Sequence, residues 1–161
     1  MKLKNILLAS IFAALICVVT SFVKVPLPVA GYVHLGDVFV FVAAAFLPLP
    51  YAVAACAVGG FFADIVAGFV NYAFVTAVAK AAMAIIARLL FAKNNRWLDV
   101  LAVVCSAVAM TFAYWLFEVF VYDIAVATAN VPFNLLQAGL CGLVAAPVCV
   151  ATKKALAKRN G

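Results

Sequence analysis

The stretch from Tyr72 to Phe91 is long enough to cross a bilayer and carries a charge, Lys80, near its middle. A lysine at the centre of a spanning helix costs about 2.5–3.5 kcal/mol on insertion scales. It is retained where the helix turns it toward a protein interior or a wet cavity that holds a partner. Two acidic residues lie in other apolar runs, Glu118 well inside one and Asp64 near the end of another. Whatever fold this chain adopts must bring such groups together.

The background is overwhelmingly apolar. With 71% hydrophobic and 10% charged residues and a mean hydropathy of +1.29, the chain cannot coat a soluble domain with polar surface. It reads as an all-α integral membrane protein. At roughly 20 residues per span, its 161 residues allow six helices and short loops in one domain over 1–161. Pro, Gly, Asn and charge punctuate the runs and predict helices at about 5–23, 34–47, 51–69, 72–92, 97–121 and 133–153. Pro48-Leu49-Pro50 makes a tight turn, because proline cannot continue a helix interior. The second helix is short for a span, which implies tilt or an extension by the preceding segment. The start, Met1-Lys2-Leu3-Lys4, is similar to a signal peptide, but the apolar run continues to Val23 and more spans follow, so it reads as helix 1. Cys17, Cys56, Cys105, Cys141 and Cys149 form no CxxC pair and read as free-thiol packing residues.

Charge sets the expected orientation. With a cytoplasmic N-terminus, Lys2, Lys4, Arg88, Lys93, Arg96, Lys153, Lys154, Lys158 and Arg159 fall inside, nine of the eleven basic residues; Lys24 and Lys80 remain. The positive-inside rule then places both termini in the cytoplasm. The net charge of +6 is explained by topology and calls for no nucleic acid. The acidic residues do the opposite: Asp37, Asp64, Glu118 and Asp123 fall in outer halves or outer loops, and Asp99 is inner.

Other polar groups follow the acids. His34 opens helix 2 from outside, and Lys80 lies about 12 Å below the outer start of helix 4 at 1.5 Å per residue. Asn134 and Gln137 open helix 6 on one face, while Tyr114, Trp115 and Glu118 share the outer half of helix 5. A polar cluster sealed on one side by apolar helices describes a binding pocket with an outside mouth; a through-channel needs polar lining at every depth. The candidate ligand contacts are therefore Lys80, Glu118, Asn134, Gln137, Tyr114, Trp115, His34, Asp37 and Asp64. The same residues allow blander roles: a structural Lys80–Glu118 ion pair, wet or capping aspartates at helix ends, and interfacial belt positions for Tyr72, Tyr122 and Trp115. Residues 24–33, with two prolines and a glycine among apolar residues, read as a stiff outer loop, either a lid or a plain connector. Ala9 and Ala13 put small residues four apart on helix 1, a stripe that lets another helix approach closely.

Taken together, Gly31-Tyr32-Val33-His34-Leu35-Gly36-Asp37, Ala9/Ala13, Ala63-Asp64, Lys80 and Pro132-Phe133-Asn134-Leu135-Leu136-Gln137 resemble a substrate-binding S component of an energy-coupling factor (ECF) vitamin transporter. The resemblance covers all six spans and lies nearest the branch of riboflavin, hydroxymethylpyrimidine and pyridoxine-type S components. It implies a six-helix bundle in the bacterial plasma membrane that captures a vitamin-like molecule from outside. It also implies docking through the helix 1 stripe, Ala9 and Ala13, onto a membrane coupling protein driven by two ATPase subunits. The chain has no GxxxxGK[ST] loop of its own, in keeping with ATP chemistry in partners; no cofactor and no catalytic residue are expected. Riboflavin binders of the family carry a lysine after the PFN segment, where Gln137 stands here, which favours a smaller ring such as pyridoxine or hydroxymethylpyrimidine. On the residues alone two other classes stay open: an intramembrane aspartyl peptidase using Asp64 and Asp123, though neither aspartate has that class's flanking motif, and a small pore or structural membrane protein.

Overall fold

The computed structural model describes residues 2–27, 31–93 and 95–160. Six helices, α1 (Lys2–Phe22), α2 (Asp37–Phe46), α3 (Leu49–Ala67), α4 (Ala73–Phe91), α5 (Arg96–Val121) and α6 (Ile124–Asn160), are joined by short connections. Two three-residue strands, β1 (Lys24–Pro26) and β2 (Tyr32–His34), form an antiparallel hairpin between α1 and α2.

Local chemistry sets several boundaries. Pro48 precedes α3 and Pro50 sits in its first turn, where a missing N–H leaves no helical bond unmade. The Asn95 side chain accepts a hydrogen bond from Trp97 N at 2.9 Å and caps α5. Asp123 does the same for α6, accepting from Val126 N at 2.8 Å. Here the structure departs from expectation: α6 begins at Ile124, not near 133, so the outer connection expected over 122–132 shrinks to Tyr122 and Asp123. Pro132 and Pro147 lie inside α6 without ending it. Proline terminates helices in water, but neighbouring helices can stabilise it within a membrane bundle.

Bundle order follows from two parallel neighbours. Ser21 Oγ donates to Ala63 O at 3.0 Å, and a Cβ at Gly59 would fall 2.7 Å from Ala13 O. Thus α1 and α3 run side by side in the same direction. The chain between them must return across the bundle, and α2 does so through the interior, touching α1, α3, α4 and α6. Its residues Val40 to Ala45 are all buried, whereas Leu7, Phe74, Phe112 and Leu143 elsewhere are exposed and apolar, as a lipid-facing surface requires. At ten residues, α2 is about 15 Å long, half the roughly 30 Å hydrocarbon core. Among the described residues, five helices are long and apolar enough to cross a membrane. The second expected helix, 34–47, is shortened to α2, and His34 instead ends β2.

Candidate ligand-binding site

Polar side chains gather at the end of the bundle where α1, α3 and α5 finish and α4 and α6 begin. Two bonds tie that face together: Lys24 Nζ donates to Ala67 O at 2.9 Å, and Asn71 Nδ2 to Tyr122 Oη at 3.1 Å. Beneath the hairpin lies a small cavity lined by Leu27, Gly31, Tyr32, His34, Asp64, Tyr72, Thr76, Tyr114, Glu118, Asn134 and Gln137.

Each helix contributes through its periodicity. On α4, Thr76 and Lys80 follow Tyr72 at steps of four, stacking on one face. On α5, Tyr114 and Glu118 do the same, and both are buried. On α6, Asn130, Asn134 and Gln137 form a polar stripe, also buried. Gly31 has φ +75°, a left-handed conformation that suits glycine; even an alanine Cβ there would sit 3.7 Å from Tyr72 Oη and 3.9 Å from Glu118 Oε1. The turn thus lays backbone directly over the cavity.

Lys80 stands behind this lining. Its ammonium is 2.5 Å from Asp37 Oδ1, with both side chains fully buried. It also approaches Met110 Sδ at 3.4 Å and lies 5.8 Å from the Tyr114 ring centroid. Gly60 makes room for its stem, since a Cβ there would meet Lys80 Cγ at 2.9 Å. The structure therefore corrects the sequence-based pairing: Lys80 bonds to Asp37 at the start of α2, not to Glu118. Gln137 completes the group, its Nε2 donating to Asp37 Oδ2 at 2.7 Å and its Oε1 accepting from His34 N at 2.9 Å. One amide thereby links the hairpin to the buried ion pair. His34 Nδ1 accepts from Gly36 N at 3.1 Å. Burial pulls this imidazole down to about 3, with Asp37 opposing and Lys80 adding to the shift, so the ring is neutral.

The carboxylates facing the cavity are engaged on one side only. Asp64 Oδ1 accepts from Tyr32 Oη at 2.5 Å, a phenol held well above its ordinary range by burial and by that carboxylate. Glu118 Oε1 accepts from Tyr72 Oη and from Asn130 Nδ2, each at 3.1 Å. Asp64 Oδ2 and Glu118 Oε2 are buried with no hydrogen-bond partner. Thr76 Oγ1 lies 3.0 Å from Tyr114 Oη and close to Asp64. Asn134 lines the same space.

Of the expected contacts, Glu118, Asn134, Gln137, Tyr114, His34 and Asp64 line the cavity, while Lys80 and Asp37 form its support. Trp115 does not belong. It stacks on Phe112 at 6.3 Å between ring centroids, reaches Thr128 Oγ1 at 3.4 Å, and borders a separate outward depression. Tyr32, Tyr72, Thr76 and Asn130 were missed. The step of four through Tyr72, Thr76 and Lys80 was a readable signal, and so was Asn130 to Asn134 had helix 6 been extended. Ala9 and Ala13 are half-buried and pack toward the core, leaving Ser10 and Ala14 as open small positions on α1. The aspartyl peptidase alternative loses its geometry, because Asp123 is an exposed helix cap and Asp64 is buried against Tyr32.

Among curated proteins none matches this chain. Residues 1–156 match the family described as the ECF-type riboflavin transporter, S component. Its members are substrate-binding transporter subunits, not enzymes. With a small polar cavity at one end of an apolar helical bundle and a match over nearly its whole length, the chain belongs to the S-component family of ECF-type riboflavin transporters.

Proposed function

We propose that this protein captures a small vitamin-like heterocycle, of pyridoxine or hydroxymethylpyrimidine size, from outside a bacterial plasma membrane. Delivery is driven by a membrane coupling protein and two ATPase subunits. In this reading the bundle makes six crossings with both termini cytoplasmic, and the hairpin end faces outward. The carrying observation is the cavity: two carboxylate oxygens without partners and the Asn134 amide, framed by Tyr32, Tyr72 and Tyr114. Aromatic faces with a few convergent polar groups suit a flat ring whose edge offers donors. The riboflavin named for the family is larger, and Gln137, tied to Asp37 and His34, supports the smaller ring.

The cavity measures about 30 Å³, room for a water or two, so ligand capture requires the roof to move. The hairpin 24–34 is the element poised to do so, as a lid. It is held by the contacts of Lys24, Tyr32 and His34 described above and by Leu27 N donating to Gly31 O at 3.1 Å. Residues 28–30 lie outside the described residues. Mass spectrometry of small molecules copurifying with the protein tests the assignment. A bound heterocyclic vitamin is the expected result, and a protein that retains and rebinds none refutes it.

Docking through α1 is the second half of the proposal, with Ala9 and Ala13 as the contact stripe. Because Ala13 packs on Gly59, bulk at 13 strains the bundle itself. Ala9→Trp, together with Ala14→Trp on the open face, separates the two effects. Both variants are expected to bind ligand as the wild type does yet lose uptake in cells expressing the coupling and ATPase subunits. Wild-type uptake by both refutes the α1 contact.

A further inference from the structure

The charge around the cavity is unbalanced. Asp37 is neutralised by Lys80 at 2.5 Å and lies behind the lining. Asp64 on α3 and Glu118 on α5, helices that flank α4, are each 2% exposed and each keep one oxygen without a partner. The cations within reach are already engaged. Lys80 is held by Asp37; Lys24 donates to Ala67 O and lies 5.2 Å and 5.5 Å from the ring centroids of Tyr32 and Phe69. None of the described lining residues is a lysine or arginine, and the neutral His34 already accepts a hydrogen bond from Gly36 N.

A buried carboxylate oxygen is stable when it meets a donor, and more so when the donor carries positive charge. Two such oxygens in one cavity, with the Asn134 amide beside them, favour a ligand that brings donors to both. An anionic ligand would find like charge and no lysine or arginine among the described lining residues, an unfavourable arrangement. Building on the vitamin-capture reading above, we propose that the cavity selects a cationic or readily protonated nitrogen heterocycle and turns away the phosphorylated form of the same ring. Asp64 and Glu118 are the specificity-determining residues: each accepts a donor from a different edge of the ligand, while Tyr72 and Tyr114 flank its faces.

The test is a charge series on one ring, measured by titration calorimetry on the full chain in lipid nanodiscs. Pyridoxamine supplies the ammonium form, pyridoxine the uncharged side chain and pyridoxine 5′-phosphate the anion, with thiamine, a permanent cation, and riboflavin, a neutral ring, alongside. The ammonium form is expected to bind at least about tenfold more tightly than pyridoxine, or thiamine more tightly than riboflavin, with the phosphate weaker than pyridoxine by about a hundredfold or more. Glu118→Gln and Asp64→Asn, checked for folding by thermal melting, are expected to cut the cation preference to within about threefold. Phosphate binding equal to pyridoxine overturns the proposal. So does riboflavin binding more tightly than every cation, or an unchanged preference in both folded variants. Any of these outcomes leaves vitamin capture itself standing, whereas failure of every heterocycle to bind removes the reading on which the proposal rests. Should a variant misfold, the wild-type charge series decides alone.

Discussion

The same three helices build two very different halves. Toward the hairpin, α4 carries Thr76 and Lys80, α5 carries Tyr114 and Glu118, and α6 carries Asn130, Asn134 and Gln137, all buried. Farther along, α4 turns to Met83, Ala84 and Ala87, α5 to Ala107 and Ala102, and α6 to Cys141, Ala145 and Cys149, buried as well but small and almost wholly apolar. Small residues let helix backbones approach closely, which is how membrane helices hold together without a hydrophobic driving force between them, and the space that remains here, about 180 Å³ beside Phe41, Phe91, Ala145 and Cys149, is lined almost wholly by apolar residues. Large polar residues hold the other half open, because each oxygen or nitrogen removed from water needs a partner at a fixed distance. One half is held by fit and the other by pairing, and the polar groups that a ligand could bond to are concentrated in the second. The Lys80–Asp37 pair lies at the seam between them.

That contrast breaks most visibly at the seam. Asp37→Asn or Lys80→Met alone leaves a fully buried charge uncompensated, and each is expected to cost about 3–5 kcal/mol of stability. The double variant Asp37→Asn/Lys80→Met should recover most of the loss, since it removes both charges together. Thermal unfolding in nanodiscs reads this directly. A single variant as stable as the wild type would mean that water reaches the pair and that the seam is not dry. In the close-packed half, Ala87→Leu is expected to cost about 1–3 kcal/mol by overpacking while leaving ligand affinity, where it can be measured, within about twofold. Loss of binding without loss of stability would show the two halves to be coupled. The smallest effect concerns pH. His34 is held neutral by burial, down to about 3 from an ordinary 6.5, while an unfolded chain takes up a proton on this residue below about 6.5. The contribution is therefore fully present above that pH and declines on acidification by up to about 1.4 kcal/mol per unit. Melting temperatures at pH 7 and pH 5 should differ more in the wild type than in His34→Asn, and equal slopes would refute the assignment.

Legibility differed between the halves in the same way. The apolar runs and the bias of acids and amides toward one end were visible without coordinates, because both depend on residue type and on position along a helix. Glu118 with Tyr114, and Asn134 with Gln137, could be placed on common faces by spacing alone. Pro132 reads as a helix boundary by sequence, which places Asn130, the donor to Glu118, outside helix 6. A belt position suits both Tyr72 and Trp115 by sequence, and Trp115 alone reads as a ligand contact, yet Tyr72 lines the cavity beside Glu118 and Trp115 faces outward. Neighbouring positions on a helix differ by about 100°, so Trp115 points away where Tyr114 points in. Tyr32 was hidden in a loop whose hairpin register, Lys24 opposite His34, no helical pattern announces.

The sequence by itself determined that the chain is an apolar helical bundle with its polar residues concentrated at one end, and that a charge within a span must find a partner. Which partner it finds was decided by tertiary structure. Lys80 could have met Glu118, one helix along; it meets Asp37 because α2, too short to cross alone, lies inside the bundle and brings its first residue against α4. Depth along a helix follows from counting residues, but contact between helices depends on which of them is central and how each is rotated, and both are set by the packing of the whole.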